Sequence, residues 1–114
     1  NEMTCLGEMP QNSFVYVLRG DIASLLTGAR KSREIAEMVY FSRFTDTEEK
    51  RTLTFFIDCI TRVQFLGNHF KEELEIASGG NELIGALSLG EIANSGRDYL
   101  EFYNKTSVIA ILED

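Results

Sequence analysis

Proline is almost missing from this 114-residue sequence: Pro10 is the only one, and it precedes every periodic segment. Nothing downstream therefore forces a helix to break. Tryptophan is absent, although eight phenylalanines and four tyrosines supply aromatic bulk. With 44% hydrophobic residues the chain has material for a packed core, which argues against wholesale disorder. Its two cysteines, Cys5 and Cys59, make neither a C-x-x-C pair nor a framework of four or six. Cys59 lies in the apolar stretch FFIDCI, where a buried free thiol is expected, and this usage fits a reducing, cytoplasmic setting. No apolar run approaches the roughly 18 residues of a membrane-spanning helix. The opening NEMTCLGEMPQNS has neither the basic nor the apolar region of a signal peptide.

Positive charge is also scarce, above all late in the chain. The net charge is −7; residues 1–71 hold nine acids and nine bases, whereas residues 72–114 hold nine acids against only Arg97 and Lys105. A general nucleic-acid binder needs Lys and Arg against phosphate, so that class is disfavoured. The acidic C-terminal half is either a solvated face or a surface steered toward a basic protein partner.

What the sequence does contain is apolar residues at intervals of three and four. After an irregular lead-in over residues 1–12, Phe14, Val17, Leu18, Ile22, Leu25, Leu26 and Ala29 share one helical face. FVYVL taken alone also suits a short strand. Gly28 and the basic pair Arg30-Lys31 mark the end of this first helix, and Ser32 caps a second running to about Phe44. Thr45 with Glu48, or Asp46 with Glu49, forms a capping box. The longest stripe follows: Leu53, Phe56, Ile60, Val63, Gly67, Phe70, Leu74 and Ala77, widened by Phe55, Cys59 and Leu66. Ile60 and Phe70 are predicted core positions on it. Gly67-Asn68 is the place where it can split, and Ser78-Gly79-Gly80 ends it. Asn81 caps a fourth helix carrying Leu83, Ala86, Leu87, Gly90 and Ala93. Ser95 and Asp98 start a short helix ending near Tyr103, with Asn104 as its left-handed cap. The last segment, VIAIL, fits helix or strand. These spacings predict an all-α fold: residues 13–114 as a single helical domain, a compact bundle of about four to six helices with one long central helix.

Residues that carry chemistry are few. Glu72, Glu73 and Glu75 crowd together, yet a di-iron bundle needs Glu-x-x-His pairs, and His69 is the only histidine. No nucleophile elbow is present, and Gly79-Gly80 is too short to cradle phosphate. No catalytic, cofactor-binding or metal residue is assigned from the sequence, and no cofactor is called for.

Two segments carry family resemblances. Gly85 to Ala93, GALSLGEIA, resembles the inner helix of an armadillo repeat, with Leu89, Gly90, Ile92 and Ala93 at matching positions. VIAILED, further on, resembles the helix of a following repeat, so the resemblance implies a fragment of an armadillo/HEAT-like helical scaffold. In RVQFLGNH, Arg62 precedes His69 with a spacing that resembles the helical HEPN ribonucleases. That family's pair implies Arg62 stabilising phosphate charge and His69 handling a proton. The leading expectation is a non-enzymatic protein-interaction domain, binding a protein partner through a helix face or its acidic C-terminal half and having no membrane segment. The HEPN-like ribonuclease and the repeat fragment are its alternatives.

Overall fold

The first regular element begins where a side chain can cap it. Asp21 accepts the Ser24 backbone N–H at 2.8 Å, while the Ser24 hydroxyl accepts the Asp21 N–H at 2.8 Å, a reciprocal capping box. These bonds from Ser24 hold the Asp21 carboxyl below its ordinary value. Helix α1 then runs over Ile22–Arg43. The computed structural model describes residues 8–16, 19–44, 51–94 and 99–113.

Strand β1, Thr52–Cys59, follows. Its sequence, TLTFFIDC, is rich in β-branched and aromatic side chains that suit a pleated surface. Helix α2 spans Ile60–Leu66, a 3₁₀ turn covers Gly67–His69, and helix α3 spans Phe70–Ser78. Gly79 ends α3 in the left-handed conformation, φ 56°. Strand β2, Glu82–Ser88, returns parallel to β1, as a helical crossover allows. Two short strands, β3 (Glu91–Ala93) and β4 (Glu101–Tyr103), pair antiparallel in a small sheet of their own. Strand β5, Ser107–Glu113, pairs antiparallel with the other edge of β1, giving the order β2-β1-β5.

The all-α expectation is therefore wrong, and so is the helical bundle: the described residues form a mixed α/β fold with five strands in two sheets. The supposed long central helix is a strand followed by two short helices. Leu53 and Phe56 lie on opposite faces of β1 and only imitate a helical stripe. The fourth helix is β2 and β3; its small residues let two strands pack closely, and a Cβ on Gly85 would sit 1.7 Å from the Phe56 carbonyl oxygen. The expected first and second helices are one, because Gly28 stays helical and Asp21, not Ser13, starts it. Phe14, Val15 and Tyr16 belong to no helix or strand. The chain around Tyr103 is β4 rather than a helix, and Lys105, not Asn104, has the positive φ. The capping patterns at residues 45–49 and 95–98, and Cys5, lie outside the described residues. Among the described residues no helix is long and apolar enough to cross a membrane.

One face of the main sheet meets the helices. Thr54, Phe56 and Asp58 of β1 are buried there, with Leu26 and Ala29 of α1, Leu66 of α2 and Ala77 of α3. Arg33 reaches down from α1 into this layer. It donates to the Thr54 hydroxyl at 2.6 Å, the Ala77 carbonyl at 3.1 Å and Glu37 at 2.7 Å. Ile60 and Phe70 are only half-buried. On the opposite face the register aligns Phe55 with Ile84 and Ala110, and Leu53 with Leu112. No described helix covers that apolar row: Phe55, Ile84 and Leu112 remain 40%, 54% and 47% exposed.

Candidate functional site

Two features stand out from ordinary packing. The first is a groove between α1 and β5, which pack against each other only along part of their length. On the helix side Ser32, Ile35, Ala36, Val39, Tyr40, Arg43 and Phe44 fall on one stripe, at the threes and fours of helical geometry. The other wall is β5 from Ser107 to Ile111, with Ala93, Asn94, Tyr103 and Thr106 at one end. The cavity volume is about 820 Å³, within the range usual for small-molecule sites. Its helical wall is largely apolar, and the Tyr40 and Phe44 rings pack with centroids 4.9 Å apart.

The second feature is a buried cluster at the β1–α2 junction. Arg62 is 4% exposed, and Asp58 and Glu73 are fully buried. The Arg62 Nε lies 3.1 Å from Asp58 Oδ1, and its guanidinium also pairs with Glu73. Arg62 further donates to the Leu25 carbonyl at 3.2 Å and the Lys105 carbonyl at 3.5 Å. One side chain thus ties β1, α1, α3 and the β4–β5 turn together. Two carboxylates share one guanidinium, so full ionisation would bury a net negative charge. Burial and the nearby Glu73 charge push the Asp58 carboxyl up to about 7, against the pull of Arg62. The Asp58–Arg62 contact is an ion pair without a hydrogen bond: Arg62 Nε, both Asp58 oxygens and Glu73 Oε2 are all buried with no hydrogen-bond partner among the described residues. A proton on Asp58 supplies the missing donor between the two carboxyl groups. Beside this cluster Cys59 is a buried free thiol 3.0 Å from the Thr61 hydroxyl, in agreement with expectation.

The structure separates the residues that had seemed a catalytic pair. Arg62 is enclosed and committed to carboxylates, while the His69 side chain is 54% exposed in the 3₁₀ turn beside Glu72. A guanidinium this deeply buried between two carboxylates is closed to an incoming phosphate. The acidic C-terminal half is not a uniform solvated face either. Glu73 and Glu91 are buried, and Glu91 accepts the Ser88 and Thr106 hydroxyls at 2.9 and 2.7 Å. Those two carboxylates serve the interior and contribute nothing to steering a partner. Among the described residues no group of three or more His, Cys, Asp or Glu is placed to hold a metal ion.

A match to the FIST C domain family covers residues 1–94. The chain belongs to that family. Membership points to a sensory domain of signal transduction. The FIST C match takes in Asp58, Arg62 and Glu73 and the α1 wall of the groove; the β5 wall lies beyond it. No curated protein and no solved structure matches the chain.

Sequence reasoning missed both features. Asp58 did carry a signal, since a carboxylate inside FFIDCI with an arginine four residues on marks a buried pair. The groove carries none, because half of its wall comes from β5, whose VIAIL sequence fits helix and strand alike.

Proposed function

We propose that this FIST C chain is a sensory domain that binds a small molecule in the groove between α1 and β5. The observation that supports it is the groove itself: a concave, mostly apolar space of about 820 Å³ with a few polar groups at its margins. The uneven packing between helix and strand gives a ligand something to complete, and a sensor needs an element whose state the ligand biases. Ala36→Trp, which fills the groove from the helix side, tests this. Compounds that raise the thermal midpoint of the wild type are expected to lose their effect on the variant. Stabilisation that survives the substitution locates binding elsewhere and ends the proposal.

A protein partner is the second reading, favoured by the uncovered row of Phe55, Ile84 and Leu112 rather than by the acidic half. Association through that row is expected to persist as salt rises, whereas steering by carboxylates is lost. A cytoplasmic setting goes with either reading and is supported by the free thiol of Cys59.

A further inference from the structure

The groove is asymmetric in charge. Among the described residues that line it, Arg43 is the one with a formal charge, and none is an acid that could receive an ammonium group. Every other arginine on α1 is either exposed away from the groove or, like Arg33, consumed by the core. Arg43 itself makes no ion pair among the described residues. It sits in the last helical turn, and Tyr40 and Phe44 line the same end of the groove. Toward the other end, Ile35 and Val39 are 47% and 42% exposed, large apolar side chains on the groove wall with no partner covering them. The register puts Ile109 and Ile111 on the helix-facing side of β5, because they pair with Phe56 and Thr54. The groove therefore has an apolar length and a cationic end. From Ile35 to Arg43 it extends about 12 Å at the helical rise, the span of an extended alkyl chain of medium length.

We infer that the groove recognises an amphipathic monoanion: a medium-chain carboxylate whose alkyl body lies along Ile35, Val39, Ile109 and Ile111 and whose head group meets Arg43. This deepens the small-molecule proposal and rests on it. The carboxylate gains a charge-assisted, two-pronged contact, which a hydroxyl head cannot reproduce. Zwitterions of the same length are disfavoured, because among the described lining residues none would pair with their ammonium group.

Calorimetric titration with sodium decanoate and with 1-decanol, both below their aggregation limits, separates the two levels of the proposal. Wild type is expected to bind one decanoate and to prefer it over decanol by about tenfold or more, the scale of a charge-assisted hydrogen bond. Arg43→Gln is expected to erase that preference while leaving decanol binding and the circular dichroism spectrum unchanged; Arg43→Lys should keep part of it. Equal binding of the two probes by wild type, with both lost in Ala36→Trp, overturns the anionic head group and leaves the groove intact as a site. Unchanged binding of both in Ala36→Trp overturns the groove as well. No binding of decanoate to a folded wild type overturns the ligand class.

Discussion

Asp58 and Arg62 stand four residues apart across the junction of β1 and α2, 3.1 Å between carboxylate and guanidinium, both shut away from water. The end of the strand and the first turn of the helix are held by that pair. Because Glu73 draws on the same guanidinium, the junction carries one more acid than base, and its ionisation is bound to folding.

Stability should therefore depend on pH in a defined direction. The Asp58 carboxyl titrates near 3.8 when exposed and at about 7 in the folded chain. Its contribution is fully present below the lower value, falls as the unfolded chain loses its proton and the folded one does not, and is gone above about 7. Urea midpoints measured from pH 4 to pH 8 should show this decline on top of the other titrations. Asp58→Asn should flatten it, and an unchanged slope in that variant would contradict the shared-proton arrangement.

Removing the base is a different experiment. Arg62→Met leaves Asp58 and Glu73 buried without a counter-charge and frees the Leu25 and Lys105 carbonyls. A loss of about 3–5 kcal/mol is expected at neutral pH, shrinking in acid as Asp58 takes up its proton. A loss under about 1 kcal/mol would mean that Arg62 is not the tie described.

Gly79 makes a backbone prediction. Its φ of 56° is costly for other residues, and an added Cβ would lie 2.5 Å from the Arg33 guanidinium carbon. Gly79→Ala should destabilise by more than about 1 kcal/mol. The control Gly28→Ala, inside α1 with nothing within 4 Å, should be neutral or stabilising. Chemical denaturation of both variants checks the contrast, and equal effects would refute it.

Phe56 tests the phase of β1. It is 3% exposed while its neighbour Phe55 is 40% exposed. Phe56→Ala should cost about 3–5 kcal/mol, and Phe55→Ala clearly less. The reverse order would put the wrong face of the strand against the helices.

The alternation that distinguishes those two phenylalanines runs against the usual expectation: the polar Thr54 and Asp58 share the buried, helix-facing side with Phe56, while Leu53, Phe55 and Ile57 stand on the other face. The adjacent pair Phe55-Phe56 interrupts the visible period of two, and polar residues on the buried side point the pattern the wrong way. Leu53, Phe56, Ile60 and Val63 then continue smoothly into a true helix, so strand and helix merge into one apparent stripe. The punctuation was readable: the break at Gly67 and the stop at Ser78-Gly79 fall where glycine chemistry puts them. The burial of Cys59 was readable too, from FFIDCI alone. GALSLGEIA misled in another way, since its Leu, Ala and Gly positions suit close approach of strands as well as of helices. The groove had no signature, because its walls are joined only by tertiary contact.

The position of β5 has a consequence for the order of assembly. β2 reaches β1 through the short α2–α3 crossover, so that pairing closes a small loop, whereas β5 joins only after β2, β3 and β4 have been made. On the ribosome, α1 and the first pair of strands can meet before the last strand emerges. The groove would then be the final part of the molecule to come into being, and a ligand of the proposed kind would reward completion of the sheet rather than its beginning. Pulse-labelled hydrogen exchange should find the β1–β2 amides protected before those of β5, and simultaneous protection would remove this sequence of events.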